Sequence, residues 1–177
     1  MDEKSVIKGK VWIIRDKNNC GIDNIDTDQI FHNKFLAITD MSEMGQHIFG
    51  NLDAWKNFPN KVKHGDIIIA GKNFGSGSSR QQAVDGFIAL GVSAIIAESF
   101  GAIYWRNGLN AGFPLLRAPN IMKSNIETGD KIEINIENGK AVNVKSGKEL
   151  PVLPMSELQI GLFRSGGLFE FGRKMSG

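Results

Sequence analysis

A single cysteine, Cys20, occurs in the 177 residues. No intrachain disulfide can form, and no second thiolate exists to begin a metal site. An iron–sulphur cluster needs about three or four thiolates, so this chain alone cannot hold one. The lone thiol is expected to be buried or half-buried, as a small apolar group. Charge of one sign is also missing: 21 Lys plus Arg face 19 Asp plus Glu, for a net charge of +2. With no basic block or tail, nucleic acid is not an expected partner. The apolar runs are short, far below the roughly 20 residues of a bilayer-spanning helix, so no membrane association is expected. Met1 to Ser5 are polar, and the short mixed segment after them has neither the apolar core nor the cleavage site of a signal peptide, which predicts a cytoplasmic protein. Prolines number only 5 against 21 glycines, so glycine turns are expected to shape the chain.

A chain of this length fits one domain, residues 1–177, and buries about 70% of its unfolded surface without a staple. Val6 to Arg15 reads as a strand, and Asp66–Ala70 and Ser93–Ala97 as short buried strands. Between the latter two, Ala83, Val84, Phe87, Ile88 and Leu90 fall at helical spacing, which predicts a helix over Ser78–Leu90. Strand, glycine turn, helix and strand make a βαβ unit with parallel strands. Further helices are expected at Met41–Phe49, capped by Asp40 or Ser42, and at Phe100–Asn110, with a strand at 114–118. From Gly129 the pattern alternates: Lys131–Ile136 and Ala141–Val144 flank Asn138-Gly139, the signature of a type I′ hairpin. A further strand within 148–153 and a closing helix over Ser156–Phe163 complete an α/β fold, a parallel βαβ unit followed by a C-terminal β-hairpin region.

The most informative segment is Gly71-Lys72-Asn73-Phe74-Gly75-Ser76-Gly77-Ser78-Ser79-Arg80, between a buried strand and a helix. Ligands of α/β folds sit there, at the carboxyl end of the sheet. Glycines let backbone N–H groups converge, and the helix N-terminus adds partial positive charge, which suits a carboxylate or phosphate. The segment is not a P-loop, a nucleophile elbow or a dinucleotide fingerprint. A purely structural reading makes Ser78 the helix cap and Gln81 its capping-box partner. It leaves Arg80 unexplained, because the macrodipole disfavours a cation in a first helical turn. An arginine beside two hydroxyls suits a planar anion gripped by a guanidinium fork.

Residues 16–34 read as a long polar loop, of the kind that is functional or disordered. Its Asp23-Asn24-Ile25-Asp26-Thr27-Asp28 lacks calcium-loop spacing, so Asx-turns are the default. The functional alternative has Thr27 and Asp28 orienting Arg80 or a substrate. Lys34-Phe35-Leu36-Ala37-Ile38-Thr39 is mostly apolar, and Phe35 is expected to tuck into the core. His32, His47 and His64 have no metal spacing.

Asn24-Ile25-Asp26-Thr27-Asp28-Gln29-Ile30, the glycine–serine–arginine segment, Glu98-Ser99-Phe100 and Arg106-Asn107 together resemble the aconitase superfamily. The match is to its swivelling β/β/α domain, in the form of the free-standing small subunits of isopropylmalate dehydratases (isopropylmalate isomerases), and runs from about Val6 to Pro154. The resemblance implies dehydration and rehydration of a hydroxy-dicarboxylic acid, with leucine biosynthesis as the pathway. It implies a large-subunit partner that carries the 4Fe-4S cluster, and no cofactor in this chain. It makes Ser78 the catalytic base, and Ser79 and Arg80 the binders of a substrate carboxylate, with Thr27 and Asp28 lining the pocket. Phe35, Leu36, Ala37 and Ile38 match the specificity loop, where homoaconitase-type relatives place an arginine for an extra carboxylate. Here that position is Ala37, and burying an unpartnered carboxylate beside it is costly. An apolar branch is therefore expected, as in isopropylmalate, with dimethylmalate or citramalate as alternatives and homoaconitate disfavoured. Many relatives carry Ala-Arg where this chain has Gly101-Ala102. From another class, a stand-alone dicarboxylate-binding module remains an alternative use of the same turn.

Overall fold

Seven strands form one mixed sheet in the order β4-β3-β2-β1-β5-β6-β7, seen in a computed structural model that describes residues 5–176. The strands are β1 Val6–Ile13, β2 Ile67–Ala70, β3 Ala94–Ala97, β4 Leu115–Arg117, β5 Lys131–Asn135, β6 Ala141–Asn143 and β7 Glu149–Leu150. The β1 strand changes partner along its length. Val6 to Lys10 pair antiparallel with β5, whereas Val11 to Ile13 pair parallel with β2. On one side β2, β3 and β4 continue the parallel pairing; on the other β6 and β7 continue the antiparallel one.

All four residues of β2 and of β3 are buried. Successive side chains point to opposite faces, and apolar runs of this kind belong to parallel sheets covered on both sides. Ile68, Ala70, Ile95 and Ala97 enter one core, and Ile67, Ile69, Ala94 and Ile96 the other. The first core is covered by α3 (Gln82–Ala89) through Ala83, Val84 and Phe87, and by α4 (Ala102–Asn110) through Tyr104. The same core receives Met44 of α2 (Met41–Met44) and Ile30 of α1 (Thr27–Ile30). The second is closed by Ile121, Ile126, Ile132, Ile134 and Met155, with Ile160 and Phe163 of α5 (Glu157–Ser165) packed against it.

The expected βαβ unit is present as β2-α3-β3. Several local expectations need correction. The helix predicted over Met41–Phe49 stops at Met44 and tightens into a 3₁₀ turn at Gly45–His47; Asp40 is its cap, accepting from the Ser42 N–H at 2.9 Å. The hairpin after β5 does not use a type I′ turn, because Gly139 has positive φ and Asn138 does not. Instead the Asn135 side chain accepts from the Glu137 and Asn138 N–H groups, and the Gly139 N–H closes on the Asn135 carbonyl at 2.9 Å. Asn143 and Gly147 repeat that four-residue loop eight residues on, with Asn143 accepting from Lys145 and Ser146. Cys20 is exposed, because it lies in the turn that Asp16 organises by accepting from the Asn18 and Cys20 N–H groups. A helix not anticipated from sequence, α6 (Leu168–Ser176), follows α5 across Gly166 and Gly167, both at positive φ. No helix among the described residues is long and apolar enough to cross a membrane.

Candidate active site

The segments that follow β1, β2 and β3 converge at the carboxyl ends of those strands. Residues 22–27 run beside 71–76: the Asn24 N–H donates to the Lys72 carbonyl at 2.8 Å, and the Gly75 N–H to the Ile25 carbonyl at 2.8 Å. The Thr27 N–H donates to the Ser76 carbonyl at 2.9 Å, completing a parallel bridge between Asp26 and Ser76. Side chains reinforce the clip, since Asn73 Nδ2 donates to Asn24 Oδ1 at 2.9 Å, and both asparagines adopt the left-handed conformation. That conformation suits asparagine among non-glycine residues.

Gly75 is where the glycine requirement is strictest. Its φ is +74°, and an added Cβ would run into the Tyr104 ring. That ring is buried, packed edge-on against Phe74, and its hydroxyl donates to the Ala83 carbonyl at 3.0 Å. Burial raises the Tyr104 pKa well above that of an ordinary phenol, so the hydroxyl stays protonated and keeps donating. Gly75→Ala is therefore expected to cost about 3 kcal/mol through overpacking and backbone strain. Urea unfolding checks this, and a loss below about 1 kcal/mol contradicts it. Gly101 plays a related part. A Cβ there would lie 2.5 Å from the Gly75 carbonyl oxygen, so its absence lets the start of α4 abut the turn.

The turn itself departs from the capping-box reading. The α3 helix begins at Gln82, and its N-cap, Gln81, makes no side-chain capping bond. Ser78 is exposed, and its Oγ forms no hydrogen bond within the described residues. Arg80 precedes the helix rather than lying in its first turn. Backbone N–H groups of Gly77 through Gln82 donate to nothing among the described residues. The N–H groups of Gly75 and Ser76, by contrast, are taken by the Ile25 carbonyl. Six consecutive donors without a protein acceptor, leading into a helix N-terminus, are groups of the kind that receive anions.

Arg80 is held from behind. Its Nη1 donates to Asp28 Oδ1 at 2.6 Å and to the Phe31 carbonyl at 3.0 Å. Every buried side-chain nitrogen or oxygen among the described residues has a partner, so the guanidinium donors without one reach solvent. Asp28 also accepts from the Asn33 N–H and from Asn51 Nδ2, each at 2.9 Å. Burial pulls the Asp28 pKa up, but the bonds from Arg80 and Asn33, with the Arg80 charge and a smaller contribution from His32, outweigh it. The carboxyl ends below its usual range. A carboxylate with a depressed folded pKa adds stability above its unfolded value and loses it as pH falls through the folded one. Asp28→Asn should therefore lower Tm at pH 7, with the gap to the parent closing below about pH 4. A gap that stays constant from pH 7 to pH 3 would contradict the assignment.

Thr27 makes no hydrogen bond to Arg80. Its hydroxyl, on a buried side chain, donates to the Ser78 carbonyl at 2.9 Å and so fixes the turn. Phe35 is half-buried, stacked on His47 at 3.8 Å; Leu36 and Ala37 are exposed, and Ile38 packs against the core. Gln82 Nε2 donates to the Leu36 carbonyl at 3.2 Å, which ties this loop to the residue two beyond Arg80. Hydrogen bonds thus join Thr27 to Ser78 and Asp28 to Arg80; among the described residues, they reach the 35–38 segment from α3 only through the Leu36 carbonyl. Sequence patterning does not single out Asn51, and it marks Asn107 only as part of a motif. Neither carries a local signal, because their partners lie 23 and 28 residues away. Among the described residues, no group of three or more His, Cys, Asp or Glu side chains could hold a metal ion.

A hydroxyl-bearing turn backed by a clamped arginine thus lies at the carboxyl edge of the mixed sheet of an α/β domain. Residues 13–121 match the family model described as aconitase C-terminal domain. A 3-isopropylmalate dehydratase small subunit from Thermodesulfovibrio yellowstonii is 40% identical over 168 residues, covering 95% of this chain and 94% of the relative. An isopropylmalate/citramalate isomerase small subunit from Methanocaldococcus jannaschii is 38% identical, covering 97% and 96%. A crystal structure of 3-isopropylmalate dehydratase from the same organism superposes with a TM-score of 0.84 at 35% identity, covering 97% of this chain and 95% of that one. The chain belongs to the aconitase C-terminal domain family, in its 3-isopropylmalate dehydratase small-subunit branch.

Proposed function

We propose that this chain is the small subunit of a 3-isopropylmalate dehydratase, a cytoplasmic hydro-lyase of leucine biosynthesis, folded as one swivelling domain. The observation that carries the reading is the exposed turn in which Ser78 and Ser79 stand beside six unbonded N–H groups and the clamped Arg80. With one thiol and no cluster of ligating side chains among the described residues, the chain does not fit a 4Fe-4S cluster. On this reading a large subunit would hold the cluster, which would supply Lewis-acid chemistry at the departing hydroxyl.

The chain's own residues act on the other side of the substrate. Ser79 and Arg80 hold a carboxylate, and Ser78 Oγ takes the proton from the carbon next to it. The C–O bond of the neighbouring carbon breaks, its hydroxyl leaving as water with a proton from solvent, and an alkene forms. On return, water adds its hydroxyl to the first carbon and gives a proton back to solvent, while Ser78 returns its proton to the second. A serine hydroxyl is a weak base at its ordinary pKa. These N–H groups and Arg80 provide the positive field that an alkoxide needs. Leu36, Ala37 and Ile38 offer no cation to a charged branch, so the branch accepted is apolar.

The test is reconstitution with a cognate large subunit, assayed on 2-isopropylmalate, citramalate, dimethylmalate and homoaconitate. Turnover of 2-isopropylmalate is expected, and none by the small chain alone. Citramalate is included because the Methanocaldococcus relative is named for both substrates. Preference for homoaconitate overturns the branch argument. Dicarboxylate binding by the isolated chain, with no large subunit co-purifying, would favour a stand-alone binding module instead.

A further inference from the structure

Five polar residues are buried among the described residues: Ser5, Thr27, Asp66, Asn107 and Asn143. Three serve the scaffold. Ser5 donates to Glu137, Asp66 receives Trp12 Nε1 and the Lys63 N–H, and Asn143 donates to Asp130. The other two both bond to the Ser78-Ser79 pair, Thr27 from α1 and Asn107 from α4.

Asn107 lies on α4 with only 8% of its surface exposed, and its Nδ2 donates to Ser79 Oγ at 3.2 Å. It is held there by close packing, because the next residue, Gly108, has no Cβ and α4 settles directly onto Leu115 of β4. A buried amide on a packed helix has little freedom to turn, so the direction of its bond is set by the fold. A hydroxyl accepts through lone pairs and donates one proton. The Asn107 bond occupies a lone pair, and the Ser79 proton meets no acceptor among the described residues.

We propose that Asn107 is a positioning residue that turns the Ser79 hydroxyl into a fixed donor aimed at the substrate carboxylate. This rests on the reading of Ser79 as a carboxylate binder, and deepens it. The amide is suited to the task because it presents N–H to Ser79. A carboxylate at the same place can only accept, so it would draw the Ser79 proton inward, away from the ligand.

The experiment is a double-mutant cycle in the reconstituted two-subunit complex, using Asn107→Ala, Asn107→Asp, Ser79→Ala and the two double variants. It is run on whichever malate derivative the parent complex turns over, so a different substrate corrects the proposed function without touching this inference. Expected is a rise in KM of about tenfold for Asn107→Ala and more for Asn107→Asp, with kcat within about threefold. In the Ser79→Ala background either change should add less than about twofold. Equal effects in both backgrounds, or a loss carried by kcat, overturn the proposal. Thermal unfolding of each variant separates a folding defect from a binding one. Should Asn107→Ala fail to fold, the near-isosteric Asn107→Asp still completes the cycle.

Discussion

Replacing Ser78 by alanine in the reconstituted enzyme should reduce kcat by about a thousandfold, within the range that a positioned base contributes. Substrate affinity and stability should hardly change. The side chain is exposed and its Oγ bonds to nothing among the described residues, so alanine removes no internal contact. The Ser78 carbonyl, which Thr27 grips, survives the substitution. Steady-state kinetics with a matched thermal melt gives the answer. A kcat within tenfold of the parent removes Ser78 as the base and shifts attention to a group on the large subunit.

Arg80→Lys is the second change with a large expected effect, a loss of about a hundredfold in kcat/KM that lies mainly in KM. Charge is kept, so long-range attraction of a dianion is not the variable. The fork is lost: one guanidinium nitrogen serves both Asp28 and the Phe31 carbonyl, leaving the other donors to the ligand. An ammonium engaged by Asp28 has no second arm, and each lost bond to a charged group is worth about 1.5–3 kcal/mol. A KM within threefold of the parent would show that the carboxylate is held elsewhere. Arg80→Ala is the less informative change. It also strips a half-buried carboxylate of its cation, mixing a fold defect with a binding one.

The sheet was largely legible in the sequence because its signal is local. Ile67-Ile68-Ile69-Ala70 and Ala94-Ile95-Ile96-Ala97 are apolar runs bounded by turn residues, and both became fully buried parallel strands. The glycine turn was legible for the same reason. What was not legible depends on partners distant in sequence. Ser78 looked like a helix cap because Ser and Gln lie three apart, yet Thr27 holds its carbonyl and the helix starts later. Asn138-Gly139 looked like a two-residue turn, but the Asn135 side chain captures the preceding N–H groups and lengthens the loop. The same competition by an asparagine side chain recurs at Asn143. The α6 helix does carry a pattern, with Leu168, Phe171 and Met175 at helical spacing, but Leu168 and Phe169 are 50% and 77% exposed, so the stripe covers no core. The motifs also pair residues that periodicity leaves apart: Asp28 meets Arg80, and Thr27 meets the Ser78 carbonyl, each across about fifty positions of chain.

The strip formed by residues 22–27 against 71–76 joins segments 48 (Asn24 and Lys72) to 52 positions apart. Pairing of β1 with β2 already closes this span, so the strip adds its bonds without holding the sheet together. The strip can therefore detach as a local unit while the seven strands stay paired. Detachment would free Arg80 from Asp28 and release the Ser78 carbonyl, so catalytic competence and global folding are separable properties of this chain. Slow amide exchange in β2 and β3, beside faster exchange at Asn24, Thr27 and Gly75, is the signature of that separation.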